Sequence, residues 1–306
     1  MNIHLSPGAP LDVPQTLARY RIWGEDPSNR LGEGVFRRVL ALDGELHGYA
    51  LRWTGPPDDA RLTITIPRSR STRVAEAVGA EVRRLLFLDA DLTGFYRMAK
   101  LDGGLQGLIA PLYGMRPTLA PTPFEMLVGA ITAQQINLAF ALTTRSRLVR
   151  RFGSPLLVEG EPVYAFPAPD VLATAKVGDL RRMQFSTRKA EYVLGLARLV
   201  SRGALDFGRL ASLPNDRVIA ELTGIRGIGR WTAEWFLARA FGRGDVCPAD
   251  DLGVRKSFAY FYARGRQLSE RAIRRRASAW GPYQNLAVHY LLAGFRRLTA
   301  KTGGGT

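Results

Sequence analysis

Hydrophobic and polar positions alternate in the first part of the chain. Two apolar-rich runs at 35–42 and 46–53 flank Asp43-Gly44, a dipeptide that favours a tight hairpin because both residues tolerate positive φ. Apolar residues at 62, 64 and 66 then alternate with threonines, which predicts a half-buried strand. A helix should follow, because four apolar side chains recur on one helical face: Val74, Val78, Val82 and Leu85.

From residue 121 onward the apolar positions have a helical period. The pattern predicts one long helix over 124–151, and further helices around 169–177, 187–202, 214–223, 230–241, 251–263 and 269–295. We therefore expect a mainly α protein in which a smaller α+β domain with an antiparallel sheet comes first. The predicted divisions are an N-terminal domain over 1–115, an all-α domain over 116–300 and a disordered tail over 301–306. The proline-rich stretch 117–123 is the expected linker.

Composition and charge narrow the class of protein. The chain has 306 residues, of which 46% are hydrophobic, and its formal net charge of +16 favours a polyanionic partner, either nucleic acid or an anionic membrane surface. No apolar run approaches the roughly 18 residues that span a bilayer, and the N-terminus does not resemble a signal peptide. We expect a soluble, cytoplasmic protein. Its single cysteine, Cys247, and its three histidines argue against an iron–sulfur cluster or a zinc site, so no metal site is predicted.

A glycine-rich turn between two predicted helices is the first candidate site. One helix stops at Gly224, a tight Gly227-Ile228-Gly229 turn follows, and a second helix starts at Arg230. The amides and the positive dipole end of that second helix would point outward together, which suits a phosphate. A simple helix-ending glycine turn is the alternative. A dinucleotide site is disfavoured because the third glycine of that motif is replaced by Thr232.

The segment around this turn resembles the helix-hairpin-helix DNA glycosylase superfamily, and within it the DNA-3-methyladenine glycosylase II family of alkylation repair. The resemblance rests on the hairpin, on Arg-Trp-Thr-Ala at 230–233 and on the downstream pair Asp250-Asp251. It extends over about 85–297 through further segments at 87–96, 123–136 and 186–192. It implies a helix-hairpin-helix glycosylase fold after the N-terminal sheet domain.

The resemblance also implies a chemistry. Such enzymes flip a base out of the duplex and use an ionised carboxylate to stabilise the oxocarbenium-like sugar as the N-glycosidic bond breaks. The motif match assigns this role to Asp251, with Asp250 beside it. Spacing alone does not choose between them, since both could cap the helix that begins near 252. In relatives that also cut the DNA backbone, a lysine lies two residues after the last hairpin glycine. Trp231 lies there in this chain, so we expect no lyase activity.

The same resemblance supplies a base pocket, a wedge and a backbone contact. Trp231 and Trp235 share one helix face and would border the pocket, where aromatic rings attract a positively charged alkylated base. Trp280 and Tyr283 are further pocket candidates, with core packing as an equal alternative. Gln135 or Ile136 would fill the gap left by the flipped base. The expected phosphate-binding residues are Gly224, Arg226, Gly227, Ile228, Gly229 and Arg230.

The sequence thus predicts a monofunctional glycosylase that hydrolyses alkylated purines of the 3-methyladenine and 7-methylguanine type from double-stranded DNA. A glycosylase of the same fold for a deaminated or oxidised base, and a non-catalytic helix-hairpin-helix DNA-binding protein, are the alternatives. We expect a nucleoid-associated monomer with no obligate protein partner and no contact with membranes. No organic cofactor is expected, although the resemblance implies that a sodium or potassium ion could bind the hairpin.

Overall fold

A computed structural model of the chain describes residues 1–67 and 69–302. Its N-terminal part is a five-stranded antiparallel sheet with the strand order β1-β5-β4-β3-β2. The strands are β1 (Asn2–Leu5), β2 (Arg30–Leu31), β3 (Val35–Leu42), β4 (Glu45–Thr54) and β5 (Arg61–Thr65). Three helices accompany the sheet: α1 (Val13–Leu17), α2 (Arg19–Ile22) and α3 (Thr72–Leu85).

The rest of the described chain is helical apart from one small hairpin. That hairpin consists of β6 (Pro155–Val158) and β7 (Glu161–Tyr164). The helices before it are α4 (Leu92–Lys100), α5 (Gln106–Ile109), α6 (Pro123–Ala133) and α7 (Leu138–Phe152). The helices after it are α8 (Pro169–Thr174), α9 (Val177–Arg182), α10 (Thr187–Ser201), α11 (Phe207–Ser212), α12 (Asn215–Thr223), α13 (Arg230–Arg239), α14 (Leu252–Ala263), α15 (Glu270–Ser278) and α16 (Gln284–Thr302). The expected mainly α class with an N-terminal antiparallel sheet is confirmed.

The predicted hairpin and the predicted amphipathic helix both form. Asp43 and Gly44 have φ values of 52° and 79°, as a two-residue hairpin turn requires, and Leu42 pairs with Glu45 across it. The four apolar residues on one face of α3 are buried against the sheet, in a core with Phe36, Leu51 and Ile64. Burial of this face is what holds α3 on the sheet.

The opposite side of the sheet is covered by β6 and β7, which the sequence analysis did not predict. Val35, Val39 and Ala50 form a second small core with Val158 and Val163. The approach is close, because a side-chain carbon at Gly48 would lie 2.6 Å from a methyl group of Val158. The hairpin therefore attaches the later part of the chain to the N-terminal sheet.

Two of the predicted long helices are broken in the structure, so these predictions are wrong in extent. The 124–151 segment divides into α6 and α7, because Gln135 adopts a left-handed φ of 56° and the Asn137 side chain accepts a hydrogen bond from the amide of Phe140 to start α7. The 269–295 segment divides at Gly281, whose φ is 54°, into α15 and α16. Both breaks occur where a residue leaves the right-handed helical region.

A buried ionic network joins the sheet to the helices. The Glu125 carboxylate on α6 accepts hydrogen bonds from Arg38 at 3.0 Å and from Arg145 at 2.6 Å, and Arg145 also bonds Asp26 at 2.7 Å. Burial alone would raise the pKa of Asp26, but Arg145 and a hydrogen bond from Asn29 lower it to about 2. The network therefore keeps the Asp26 carboxylate charged inside the protein.

The expected linker is part of the packed interior. The amide of Leu119 bonds the carbonyl of Leu85, and the amide of Ala120 bonds the carbonyl of Arg239. The segment from Leu92 to Met115 contributes to the helical core. The domain division between 115 and 116 stays a prediction, and residues 303–306 of the predicted tail lie outside the described residues. Within the described ranges, no helix combines the length and apolar character needed to cross a bilayer.

Candidate active site

The hairpin between α12 and α13 is shaped by one glycine. Gly227 has a φ of 92°, and a side-chain carbon there would lie 2.2 Å from the ring of Tyr192 on α10. The carbonyl of Gly227 accepts a hydrogen bond of 2.9 Å from Nε2 of Gln134. Gln134 also donates to Oγ1 of Thr232 at 3.2 Å. The turn is thus fixed from two sides, by α10 and by the loop that follows α6.

The first turn of α13 begins at this hairpin with its amides uncapped by a side chain. Gly229 occupies the cap position in an extended conformation, and its carbonyl accepts the first helical hydrogen bond, from Ala233. Among the six predicted phosphate-binding residues, Ile228 is buried and Gly227 is half-buried, whereas the others are exposed: Gly224, Arg226, Gly229 and Arg230. An exposed helix start with free amides can hold an anion.

Asp251 lies at the start of α14, and its two carboxylate oxygens have separate partners. Oδ1 accepts a hydrogen bond of 3.0 Å from the amide of Val254 and so caps the helix. Oδ2 accepts two hydrogen bonds from indole groups, at 2.9 Å from Nε1 of Trp231 and at 3.1 Å from Nε1 of Trp235. The neighbouring Asp250 side chain is 62% exposed and lies 3.9 Å from Arg255. The structure therefore brings Asp251 together with both predicted tryptophans.

The two indoles reach one oxygen because they are four residues apart on α13. Trp231 is half-buried, whereas Trp235 is only 9% exposed. The Trp235 ring packs edge-to-face against His289 of α16, with ring centroids 5.6 Å apart. Nδ1 of His289 donates to the carbonyl of Asn285, since a carbonyl can only accept, and burial lowers the pKa of His289 to about 4. A neutral imidazole therefore supports the indole that contacts Asp251.

A buried carboxylate on the next turn of α13 stabilises the same region. Glu234 is 2% exposed and accepts hydrogen bonds from Arg230 at 2.8 Å and from Arg274 at 3.0 Å. Arg274 also donates to the carbonyl of Cys247, in the segment that leads to Asp251. Burial raises the pKa of the Cys247 thiol to about 12, so the thiol stays protonated at neutral pH. The sequence analysis missed Glu234 and His289. Only the i, i+4 spacing of Arg230 and Glu234 could have indicated the contact between these two side chains.

The described hydrogen bonds of the Trp280 and Tyr283 side chains are to residues other than Asp251. Trp280 is buried, and its Nε1 donates to Oδ2 of Asp102 at 2.8 Å. The hydroxyl of Tyr283 donates to Asp91 at 2.8 Å, and Asp91 in turn caps α4. Core packing is the alternative interpretation of these residues, and the burial of Trp280 fits it, whereas Tyr283 is half-buried and contacts the residue that caps α4. A role in the base pocket stays a prediction.

The predicted wedge residues lie on the loop between α6 and α7, next to the hairpin. Gln134 of this loop contacts the hairpin directly, and Gln135 is exposed in its left-handed conformation. Ile136 is half-buried. Their position beside both Gly227 and α13 is compatible with a wedge, which stays a prediction.

The exposed helix start that can bind phosphate is the beginning of α13, and the same helix carries the two indoles that orient the Asp251 carboxylate at the start of α14. Oδ2 of Asp251 is the atom that could stabilise a developing positive charge, since two donors hold it in place without neutralising it. Within the described ranges no group of metal-ligating side chains accompanies it. The site therefore offers electrostatic stabilisation beside an exposed helix start that suits an anion.

Comparison with known proteins agrees with this geometry. The HhH-GPD family, described as HhH-GPD superfamily base excision DNA repair protein, matches residues 128–282. A DNA-3-methyladenine glycosylase of Bacillus subtilis is 34% identical over 204 residues, or 67% of each chain. DNA-3-methyladenine glycosylase 2 of Escherichia coli is 29% identical over 265 residues, covering 85% of this chain and 86% of its own. The structure of a 3-methyladenine DNA glycosylase from Archaeoglobus fulgidus superposes with a TM-score of 0.84 at 28% identity, over 96% of this chain and 98% of that one.

Proposed function

The chain belongs to the HhH-GPD superfamily of base excision DNA repair proteins, and from that premise we propose that it is a monofunctional DNA glycosylase that removes alkylated purines. Its relatives carry the name of DNA-3-methyladenine glycosylases, which supports base excision repair of alkylated bases as its role. The single observation that carries the mechanism is the Asp251 carboxylate, held by two indole donors at the start of α14.

The reaction follows from the charges on both sides of the bond. In a 3-methyladenine or 7-methylguanine nucleotide the alkylated base is positively charged, so the electron pair of the C1′–N bond leaves with the base and neutralises it. The sugar then carries the positive charge, and Oδ2 of Asp251 stabilises it. A water molecule adds to C1′ and loses a proton, which leaves an abasic site. No protonation of the leaving group is required.

Two features support binding of the extruded nucleotide. The exposed amides at the start of α13 and the arginines of the hairpin suit the DNA backbone. The accessible part of the Trp231 ring, beside the carboxylate, suits a cationic base, because aromatic faces attract positive charge. Double-stranded DNA is the proposed partner, and the protein is proposed to act as a monomer.

Absence of lyase activity belongs to the same proposal. A Schiff base requires an amine beside the sugar, and the position where lyases carry it is Trp231. Lys189, on α10, donates from its Nζ to the carbonyl of Thr132. These positions support hydrolysis as the only reaction. A sodium or potassium ion at the hairpin stays an expectation. The carbonyls of Ile225 and Gly227 each accept one hydrogen bond, which leaves each oxygen a second lone pair.

Base release from methylated duplex DNA tests the proposal. The wild-type protein should free 3-methyladenine or 7-methylguanine, identified by chromatography, and the strands should stay intact until alkali is added. Asp251→Asn should release no base while it still binds DNA. Release by this variant at the wild-type rate would refute the role of Asp251, and strand cleavage without alkali would refute the monofunctional mechanism.

A further inference from the structure

A second surface feature begins one residue after Asp251. A groove of about 300 Å³ runs along the outer face of α14 towards α16. The residues that line it come from α14, from the loop after it and from α16: Leu252, Arg255, Lys256, Ala259, Tyr260, Gly265, Gln267 and Phe295. The mechanism proposed above uses none of them.

The floor of the groove is apolar and unusually exposed. Leu252 is 65% exposed and Tyr260 is 50% exposed. The Tyr260 ring is held edge-to-face by Phe295, with centroids 5.7 Å apart, and by Phe261 at 5.0 Å. An exposed aromatic ring in a fixed orientation is suited to contact a planar base or a sugar. This surface therefore has the character of a binding site rather than of a solvated helix face.

The rim of the groove is positively charged. Lys256 is exposed, Arg255 is half-exposed, and the loop beyond the helix adds Arg264 and Arg266. Asp250 is the acidic residue that contacts this rim, at 3.9 Å from Arg255. An anionic occupant is thus favoured, in keeping with the net charge of +16.

The groove begins next to the Asp251 carboxylate, and this position favours a DNA strand as its occupant. At 1.5 Å per residue, Lys256 lies about 6 Å and Tyr260 about 12 Å from Leu252 along the helix axis. Because successive nucleotides of one DNA strand rise about 3.4 Å, this length corresponds to roughly three nucleotides. Because the groove lining begins at Leu252, one residue after Asp251, a strand whose flipped nucleotide reaches Asp251 has the groove within reach of its neighbouring nucleotides. An acidic peptide would match the charge as well, but nothing would require it to meet the carboxylate.

We propose that this groove binds the lesion-carrying DNA strand on one side of the flipped nucleotide, with phosphates at Arg255 and Lys256 and sugar or base atoms against Leu252 and Tyr260. The proposal rests on the proposed function, since it takes Asp251 as the place where the flipped nucleotide binds. It adds a contact surface on α14 to the one at the hairpin.

Matched variants test the charged and the apolar contacts separately. Lys256→Gln is compared with Lys100→Gln, which removes the same charge from an exposed position on α4. Tyr260→Ala is compared with Leu157→Ala, which removes another exposed apolar side chain, 70% accessible, from β6. The probe is a fluorescent duplex with a tetrahydrofuran abasic analogue, and anisotropy is measured between low and high salt.

Lys256→Gln should lower the slope of log affinity against log salt by about one, and Tyr260→Ala should weaken binding about threefold or more. Both control variants should bind like the wild type. A second series replaces single phosphates near the lesion by neutral methylphosphonates. One position should weaken the wild type and leave Lys256→Gln unaffected, because each change removes the same contact.

Groove variants that match their controls in affinity, slope and phosphate series would overturn the proposal, whether or not the wild type excises bases. If the groove variants bound DNA like the wild type but lost affinity for an acidic, tyrosine-containing peptide, the groove would be a binding site for a protein partner. Failure of the proposed function is a different result. The wild type would release no methylated base, while binding of the abasic duplex still depended on Lys256 and Tyr260.

Discussion

Removing one indole donor at a time tests how the position of Asp251 is maintained. Trp235→Phe deletes the N–H group 3.1 Å from Oδ2 and keeps an aromatic ring beside His289. Trp231→Phe deletes the other donor, 2.9 Å from the same oxygen. Both variants leave the cap between Oδ1 and the amide of Val254 intact. Each variant therefore removes one hydrogen bond to Oδ2 and preserves the cap that starts α14.

The two variants should differ in stability. A hydrogen bond to a charged group contributes about 1.5–3 kcal/mol, and loss of ring volume at a position that is 9% exposed adds about 1 kcal/mol, so Trp235→Phe should cost about 3 kcal/mol. Trp231 is half-buried, and its replacement should cost about 1.5 kcal/mol. Because a displacement of about 1 Å at a reacting group can cost a hundredfold in rate, each variant should slow excision tenfold or more.

Urea unfolding and single-turnover base release measure these effects, and an Asp251→Asn background identifies their origin. If the indoles act through the carboxylate, the stability costs of Trp231→Phe and Trp235→Phe should shrink once the charge is gone. Costs that persist unchanged in that background would show that the indoles stabilise something else. Single variants that excise within twofold of the wild type would refute the reasoning that a fixed carboxylate is needed.

Three further changes address the hairpin, the helix behind the site and the ionic network. Gly227→Ala should lower the free energy of unfolding by about 2 kcal/mol or more, because of its positive φ and the nearby Tyr192 ring. Gly229→Ala places its methyl group in open space and should cost less than about 1 kcal/mol. If urea unfolding gave the same cost for the Gly227 and Gly229 variants, this expectation would be contradicted. His289 has a pKa lowered to about 4, so the unfolded state binds more protons below pH 6.5 and stability should fall by up to about 3 kcal/mol as the pH drops to 4. In His289→Gln this pH-dependent loss of stability should be absent. If the variant and the wild type lost the same unfolding free energy between pH 6.5 and 4, the role given to His289 would be refuted. Glu125→Gln should cost about 3 kcal/mol in thermal unfolding, because two buried arginines lose their shared charge, and a cost below 1 kcal/mol would contradict that.

Local chemistry made part of the fold predictable. Asp43-Gly44 specifies its turn through its own backbone preferences, and the apolar face of α3 specifies its burial. The break after α6 was not predictable in this way. Gln135 has no intrinsic preference for the left-handed region comparable to that of glycine, and its neighbour Gln134 is held by the carbonyl of Gly227, almost a hundred residues away.

The site shows the same division between local and distant information. The i, i+4 spacing of Trp231 and Trp235 correctly placed both indoles on one face of α13, and the structure joins both to Asp251. Glu234 and His289 were missed because Glu234 contacts Arg274 of α15 and His289 of α16 contacts Trp235 of α13, and no local pattern records contacts between such distant segments. Trp280 was selected for being aromatic, yet its indole contacts Asp102.

The capping and the chemical readings of Asp251 turn out to be parts of one arrangement. Capping through Oδ1 holds the carboxylate at the start of α14, where a helix attracts negative charge, and this leaves Oδ2 for the two indoles. An asparagine cannot reproduce the set, because its amide nitrogen would have to face either the amide of Val254 or the indole N–H groups. Asp251→Asn should therefore cost about 1–3 kcal/mol of stability in addition to its activity. The loss of excision by this variant is informative only when measured on protein that is shown to be folded, and a stability equal to that of the wild type would mean that these three hydrogen bonds do not hold the carboxylate.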